Sequence, residues 1–383
     1  MSPRKARRSE ALVLDPGVLR EGPVCELGSS LAVEAQGGVA VQPWRDLFLA
    51  DEAAGRAVQA NARAIASVSF AQVIVHLQKS RAATFDDLAE AWRILAPGGE
   101  LLFSGSNSLG VVSAVKRLSE DLDQQGVVVA NRARARVVRF LKGSEQKGGE
   151  QKDGERAPER EATEPIEVEL PGIGAGGHFE LATVPGVFSA RRIDPGSELL
   201  IEAFARIARE KPPRRIVDLG CGTGVLGIVA ARLFPAAEVL LVDADARAVE
   251  CAATNIARLG LADRARVLWW DAREKPPENG FDWALVNPPF HHRGPEVDLV
   301  PALALFESLS GWLTRNGRAL LVANRTLPYE AALGRLGVVE QVADERGYKV
   351  LSLSRSVRSK GSRGRKDPAL RPDGRSRLPT RSR

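Results

Sequence analysis

Between residues 214 and 286, short apolar segments alternate with segments of helical periodicity, and this alternation limits the fold more than any other feature of the chain. The apolar segments predict four strands, at residues 215–219, 238–242, 266–270 and 281–286. Helices are predicted between the first three strands, at residues 225–233 and 246–259. Strands that alternate with helices form a parallel sheet with helices on both faces. The sequence therefore predicts an α/β domain.

The C-terminal end of this domain departs from the alternation. Residues 338–344 and 348–354 are strand-like and are separated by a short turn that contains Gly347, which predicts a β-hairpin. A further strand is predicted at residues 318–323. The complete sheet is thus expected to have seven strands, mostly parallel, with an antiparallel edge hairpin.

The first half of the chain repeats this order of elements. It contains a predicted strand, helix, glycine turn and strand at residues 71–77, 85–95, 97–99 and 100–104. The second half has a strand, helix and strand at residues 281–286, 299–314 and 318–323. The sequence therefore predicts two Rossmann-like domains in tandem. The first copy has His76 where the second has Asn287, and it lacks a glycine loop, so we expect it to have kept the scaffold and lost the site.

Composition divides the chain into four parts. Residues 143–165 are rich in Gly, Glu, Gln and Lys without apolar periodicity, which predicts a charged linker. It separates a front domain at 11–142 from a second domain at 166–354. The second domain begins with two strand-like segments near residues 166 and 178, followed by a helix from Pro195 to about residue 209 with Asp194 as its N-cap.

The net charge of +6 comes from the C-terminal tail. Residues 355–383 contain 11 Lys or Arg and two Asp, a net charge of +9, which leaves −3 for the remaining residues. Low apolar content predicts that this tail is disordered, and its charge favours nucleic acid without sequence preference.

The same composition excludes several protein classes. No apolar run approaches the ~20 residues of a membrane span, and the basic start lacks the apolar core of a secretory signal. The three cysteines are too scattered for a disulfide framework or a zinc site, so no metal is expected and a cytoplasmic location fits best. No pattern sets the oligomeric state, and a monomer is the default expectation.

Residues 220–224 read Gly-Cys-Gly-Thr-Gly and directly follow the strand at 215–219. Three alternate glycines let the backbone pass close to a ligand and turn sharply into a helix. A dinucleotide usually requires Gly-x-Gly-x-x-Gly, with room for a pyrophosphate. Here the third glycine comes one residue earlier, which favours a cofactor without phosphate. The candidate cofactor-binding residues in this loop are Gly220, Cys221, Gly222, Thr223 and Gly224.

Three aspartates accompany this loop at the ends of predicted strands. Asp243 suits a ribose diol, because a carboxylate can accept from both hydroxyl groups. Asp271 is placed to accept from an adenine amine, and Asp218 to meet an ammonium group. Together with a loop that has no phosphate site, these acids favour S-adenosylmethionine over a nicotinamide dinucleotide.

The strand at 281–286 ends abruptly in Asn287-Pro288-Pro289-Phe290. The prolines cannot donate to a sheet, so they end the strand at the edge where open α/β sheets bind ligands. The Asn287 side-chain oxygen and a neighbouring carbonyl can both accept hydrogen bonds from one –NH2 group, and Phe290 can lie flat on a planar base. These four residues are the candidate catalytic residues, and Asn287 is also expected to border the cofactor.

The loop at 218–224 together with Asp243 resembles that of class I S-adenosylmethionine-dependent methyltransferases, and residues 287–290 resemble the catalytic motif of their amino-methylating members. The wider pattern is similar to the bacterial ribosomal RNA guanine-N2 methyltransferases of the RsmC/RlmG type. The similarity in the second half lies at residues 185–189, 287–291, 322–329 and 349–351. In the first half it lies at residues 78–81 and 105–113.

This resemblance implies an enzyme that transfers a methyl group from S-adenosylmethionine to the exocyclic N2 of a guanine in ribosomal RNA. It also implies that the front domain is a degenerate methyltransferase-like domain that binds RNA or supports its neighbour. The expected partner is ribosomal RNA or a ribosomal subunit, without a membrane. Two alternatives remain at this point: an amino-methyltransferase that acts on protein glutamine or DNA adenine, and a non-catalytic RNA-binding scaffold.

Overall fold

The computed structural model describes residues 8–67, 69–143, 156–169, 177–187, 193–289, 291–293 and 296–354. The residues 290–298 are described at most by their backbone. Two predicted features, the basic tail and the side chain of Phe290, therefore lie outside the described residues. None of the described helices is long and apolar enough to cross a membrane.

The front domain is built on a seven-stranded sheet. Its strands are β1 (Val24–Leu27), β2 (Gly38–Val41), β3 (Ala57–Gln59), β4 (Phe70–His76), β5 (Leu95–Ser106), β6 (Val127–Arg132) and β7 (Ala135–Leu141). Its helices are α1 (Arg8–Ala11), α2 (Leu31–Gln36), α3 (Arg45–Ala53), α4 (Arg81–Ile94) and α5 (Val111–Leu122). The strand order is β3-β2-β1-β4-β5-β7-β6, and β7 is antiparallel to both of its neighbours.

The second domain begins with an antiparallel pair, β8 (Ile166–Glu169) and β9 (His178–Leu181). Its main strands are β10 (Arg215–Leu219), β11 (Glu238–Asp243), β12 (Ala265–Trp269), β13 (Phe281–Val286), β16 (Leu313–Asn324), β17 (Val338–Glu345) and β18 (Tyr348–Ser354). The short hairpin β14 (His291–Arg293) and β15 (Glu296–Asp298) follows β13. The helices are α6 (Pro195–Ala208), α7 (Val225–Leu233), α8 (Ala246–Arg258), α9 (Val300–Trp312) and α10 (Tyr329–Leu333).

The second sheet has the order β12-β11-β10-β13-β16-β18-β17, which matches the front sheet strand for strand. Its first five strands are parallel, and β18 is antiparallel to β16 and β17. The predicted tandem of two α/β domains, with a seven-stranded and mostly parallel second sheet and an antiparallel edge hairpin, is confirmed.

Some element boundaries differ from the predicted ones. The strands predicted to begin at Glu100 and Arg318 begin at Leu95 and Leu313. In each strand one residue before the glycine turn pairs with the neighbouring strand, and the pairing resumes after a register shift. Helix α4 begins four residues earlier than expected. The Ser80 side chain accepts a hydrogen bond from the backbone N–H of Ala83 at 3.2 Å and so caps the first turn of the helix.

The second sheet is covered on both faces by apolar side chains. Helices α6, α7 and α8 pack on the face of Ile216, and helices α9 and α10 pack on the face of Val217. Phe204 meets Trp283 edge-to-face on the first side, with ring centroids 5.5 Å apart. Burial of each such large side chain contributes roughly 1.5–3 kcal/mol. This two-sided core holds the carboxyl ends of the central strands in fixed positions.

The described part of the predicted linker lies along the front domain. Arg160 pairs with Asp86 and Glu90 of α4, and Glu161 pairs with Arg117 of α5. Residues 156–161 therefore contact the front domain before the chain reaches β8.

Candidate active site

The sheet register brings the candidate residues together at one edge. Leu219 is the last residue of β10 and pairs with Val242 on one side and Val286 on the other. These two residues directly precede Asp243 and Asn287. Gly220, Asp243 and Asn287 therefore follow one another across three neighbouring strand ends. This is the carboxyl edge of the sheet, where ligands of open α/β folds bind.

The glycine loop has the backbone that the sequence predicts. Gly220, Gly222 and Gly224 have φ values of +77°, +56° and +90°, a region that side chains with a Cβ disfavour. A Cβ on Gly224 would lie 3.1 Å from the side chains of Ile228 and Leu241, so the loop packs closely on the domain. The loop turns directly into α7 at this point.

Asp218 lies beneath the loop and is fully buried. Its Oδ2 accepts a hydrogen bond from the backbone N–H of Gly227 at 2.8 Å, in the first turn of α7. Its Oδ1 has no hydrogen-bond partner among the described residues. Burial raises the pKa of Asp218 to about 7. The carboxyl group thus supports the helix start and keeps one oxygen unsatisfied beside the loop.

Asp243 is half-buried at the end of β11. Its two oxygens accept hydrogen bonds from the backbone N–H groups of Gly222 and Asp245, both at 2.9 Å. Burial raises its pKa from 3.8 to about 6, although these hydrogen bonds oppose the shift. Asp243 therefore fixes the loop and borders it.

Asp271 lies two residues beyond the end of β12 and is ion-paired. Its Oδ1 accepts hydrogen bonds from the backbone N–H of Arg273 at 2.9 Å and from its Nε at 2.7 Å. Burial would raise the pKa of Asp271, but these contacts outweigh it and the pKa is lowered. The carboxylate is thus charged, with part of its hydrogen-bonding capacity already in use.

The two remaining loop residues are buried. Burial raises the pKa of the Cys221 thiol well above its usual value, so this group is a neutral packing residue. The carbonyl of Thr223 accepts a hydrogen bond from Asn255 Nδ2 at 3.0 Å, and the same Nδ2 donates to the carbonyl of Ala182 at 2.9 Å. Sequence reasoning missed Asn255, which ties the loop to the segment after β9.

The amide of Asn287 is oriented by the start of α6. Its Nδ2 donates to Ser197 Oγ at 2.9 Å and to Asp194 Oδ2 at 3.3 Å. A carboxylate only accepts, so the amide must present its NH2 group to Asp194. The carbonyl oxygen Oδ1 is then the atom of Asn287 that can accept from a substrate. Asp194 also caps α6 through its Oδ1, as the sequence predicts, whereas the role of Ser197 was missed.

The prolines that follow occupy different environments. Pro288 is buried and Pro289 is exposed. The predicted position of Phe290 lies outside the described residues. The structure thus brings Asn287 and Pro288 to the loop edge and leaves the stacking role of Phe290 as a prediction.

The matching edge of the front sheet is filled by its own side chains. By register, Glu26 and His76 occupy the positions of Asp218 and Asn287. The Glu26 carboxylate contacts His76 Nε2 at 2.8 Å and accepts hydrogen bonds from the first turn of α2. Both side chains are buried. This geometry is consistent with the prediction that the front domain has no cofactor site, because two of its own side chains occupy that edge.

The second domain matches a known protein family, and most of the chain matches known proteins. The methyltransferase small domain family matches residues 178–352. The ribosomal RNA small subunit methyltransferase C of Stutzerimonas stutzeri (strain A1501) is 30% identical over 73% of this chain and 78% of its own length. The protein of the same name from Pseudomonas syringae pv. syringae (strain B728a) is 31% identical over 75% of this chain and 80% of its own length.

A solved structure covers both domains. The 16S rRNA N2 G1207 methyltransferase of T. thermophilus, in complex with AdoMet and guanosine, superposes with a TM-score of 0.75. It is 26% identical, and the match covers 88% of this chain and 90% of that chain. The family predicted from the wider pattern of motifs in both halves is confirmed: the chain belongs to the ribosomal RNA small subunit methyltransferase C family.

Proposed function

We propose that this protein transfers a methyl group from S-adenosylmethionine to the exocyclic N2 of a guanine in 16S ribosomal RNA, at the nucleotide that corresponds to G1207. The orientation of Asn287 carries the proposal, because its amide oxygen is left to accept from an amine beside the glycine loop. The relatives named for the small subunit and the T. thermophilus structure support this substrate.

The residues of the loop edge fit S-adenosylmethionine. The backbone at 220–224 is free of Cβ atoms at alternate positions, and no phosphate has to be accommodated. Asp243 would hold the ribose diol and Asp271 would border the adenine. Asp218 would meet the ammonium group, and its buried Oδ1 has no hydrogen-bond partner among the described residues.

The Asn287 Oδ1 and the carbonyl of Pro288 would accept the two N–H bonds of the target amine. A guanine amine is a poor nucleophile because its lone pair is delocalised into the ring, so positioning and electrostatic stabilisation dominate. S-adenosylmethionine supplies a sulfonium methyl group, and transfer to N2 releases S-adenosylhomocysteine and one proton. Phe290 would stack on the base once it has left its helix, because a paired guanine does not reach the edge.

One chain supplies all of these residues, so a monomer is sufficient. We place the enzyme in the cytoplasm, where ribosomal subunits are available. The front domain would support the catalytic domain or contact RNA, and the basic tail would add affinity for RNA without sequence preference.

Tritiated S-adenosylmethionine, purified protein and 30S subunits from a strain without the corresponding methyltransferase test the proposal. We expect label in 16S rRNA as N2-methylguanosine, at one nucleotide identified by mass spectrometry of rRNA fragments. Naked 16S rRNA is assayed in parallel to identify the preferred form. Label in protein or DNA, or in another nucleoside, would refute the substrate assignment.

The affinity for S-adenosylmethionine should depend on pH through Asp243. The ribose hydroxyls donate to a carboxylate, so the ionised form binds, and acidification through a pKa of about 6 removes it. From this group alone we expect the Kd at pH 5 to be about tenfold higher than at pH 7, measured by calorimetry.

The Asp243→Asn substitution removes the titrating carboxyl group of Asp243 and leaves that of Asp218, whose pKa is about 7. The variant should bind more weakly above pH 6 and should lose the change in Kd that is centred near pH 6, so any change in Kd that remains is centred near pH 7. A pH dependence that persists unchanged in this variant would assign the titration to Asp218 instead.

Asp194→Asn should inactivate the enzyme without unfolding it. The new amide still caps α6 through its oxygen, but its NH2 group faces the NH2 group of Asn287. Asn287 must then flip and turn a donor toward the target amine. We expect kcat to fall about 100-fold, the size of effect seen when one aligned polar group is lost.

The matched control is Asp282→Asn on the opposite end of β13. That carboxylate accepts from the backbone N–H groups of Arg214 and Arg215 and lies away from Asn287. Its kcat should stay within twofold of the unaltered protein, and both variants should keep the cofactor Kd. Equal kcat for Asp194→Asn and the unaltered protein would show that Asp194 does not orient Asn287.

A further inference from the structure

The two domains join through equivalent segments of their sheets. According to the sheet register, Trp44 after β2 occupies the position in the front domain that Asp245 after β11 occupies in the second domain. These two residues form an antiparallel β-bridge. The N–H of Arg45 donates to the carbonyl of Ala244 at 2.9 Å, and the N–H of Ala246 donates to Pro43 at 2.8 Å. The front domain therefore contacts its neighbour directly after Asp243, at the cofactor edge.

A first chain of side-chain contacts leads from Asp243 into the front domain. The N–H of Asp245 donates to Asp243, and the Asp245 carboxylate accepts from Arg247 Nε at 3.0 Å and Nη2 at 2.8 Å. Arg247 Nη1 donates to Gln78 Oε1 of the front domain at 3.2 Å. Gln78 in turn donates to Asp87. The Arg247 side chain is only 14% exposed, so these contacts are shielded from solvent.

The same arginine contacts the segment after β9. Gly186 has a φ of +89°, and a Cβ at this position would lie 2.9 Å from both Arg247 Nη1 and the Ala83 side chain of α4. Only glycine allows this close approach. Arg247 is therefore enclosed by the front domain, the Gly186 segment and the start of its own helix.

A second chain of contacts starts from Asp271. Arg273 pairs with Asp271 and reaches Asp46 of α3 at 3.0 Å. Its neighbour Glu274 pairs with Arg45 through two hydrogen bonds. Arg273 is 50% exposed, so this chain is the weaker of the two.

We infer that Gln78 and Asp46 of the front domain are positioning residues for the cofactor site. Gln78 binds Arg247, which fixes the segment after Asp243, and Asp46 binds Arg273, which pairs with Asp271. This inference rests on the proposed function. The front domain, although its own site is filled by Glu26 and His76, then sets how tightly the second domain binds S-adenosylmethionine. Neither residue belongs to the proposed cofactor-binding set, and the effect on affinity is transmitted by Arg247 and Arg273.

The test compares Gln78→Ala and Asp46→Ala in the full chain. Calorimetry with S-adenosylhomocysteine should show the Kd rising about fivefold for Gln78→Ala and about twofold for Asp46→Ala, in line with a shielded and an exposed contact. The KM for 30S subunits should not change. Arg247→Lys keeps the positive charge but loses the guanidinium group that contacts Asp245 and Gln78 together. Its Kd should rise as in Gln78→Ala.

Glu250→Ala is the matched control. Glu250 contacts Asn61 and Arg63 across the same interface but is not linked to either acid. It should leave the Kd unchanged, although it removes contacts across the same interface. An unchanged Kd in Gln78→Ala, or an equal rise in Glu250→Ala, would overturn the inference. Failure of the unaltered protein to methylate rRNA would instead overturn the proposed function.

Discussion

Asn287→Ala is expected to lower kcat/KM for methyl transfer to 30S subunits about 10³-fold, the loss that follows removal of one aligned acceptor in an active site. Asp194 and Ser197 accept from its NH2 group, which leaves Oδ1 to accept from the amine in the proposed reaction. Affinity for S-adenosylmethionine should stay within twofold, because the loop at 220–224 and Asp243 are unchanged. Calorimetry and initial rates on the same preparation measure both quantities.

The control for this substitution is Asn279→Ala. Asn279 is exposed and precedes the amino end of β13, so the same side chain is removed from the opposite end of the strand. Its rate should equal that of the unaltered protein. A parallel loss of rate and cofactor affinity in Asn287→Ala would show that Asn287 maintains the structure of the edge and does not act on the amine.

Gly220→Val should abolish measurable binding of S-adenosylmethionine, with a Kd at least about 100-fold higher, equivalent to ~2.7 kcal/mol. Among the described residues, a Cβ on Gly220 would lie within 4 Å of Leu305 only, at 3.8 Å, so these residues leave room for it. That room is the space in which we place the cofactor. The φ of +77° adds a strain of about 1–2 kcal/mol to the folded state.

Gly260→Val separates strain from occupancy of the site. Gly260 follows α8 with a φ of +65°, and no atom of the described part of the chain lies within 4 Å of an added Cβ. Both variants should lose similar stability in urea unfolding, while only Gly220→Val should lose the cofactor. If Gly260→Val weakens binding equally, the loss in Gly220→Val comes from destabilisation.

Much of the site could be predicted because its parts are short and local. The glycine loop, the strand that stops at Pro288 and the Asp194 cap each follow from the conformational limits of a few neighbouring residues. The parallel register then aligned Gly220, Asp243 and Asn287, since strands of similar length that end in turns end at the same edge.

Other parts of the site involve residues that are distant along the chain. Ser197 lies 90 residues from Asn287, and Gln78 lies 169 residues from Arg247. Neither pair carries a sequence signal, because a serine in a first helical turn and an arginine after an N-cap occur in many helices. The ion pair of Asp271 with Arg273 was likewise invisible, although the two residues are close, since side-chain direction depends on the packed loop.

The sequence by itself determined two α/β sheets, a loop without Cβ atoms at alternate positions and an amide at a strand end. These features depend on backbone sterics and on the period of apolar residues. Only the tertiary structure decided which way that amide faces and that the front domain contacts the cofactor edge. Both depend on how helices α6 and α8 dock on the sheet, which is set by packing over the whole core.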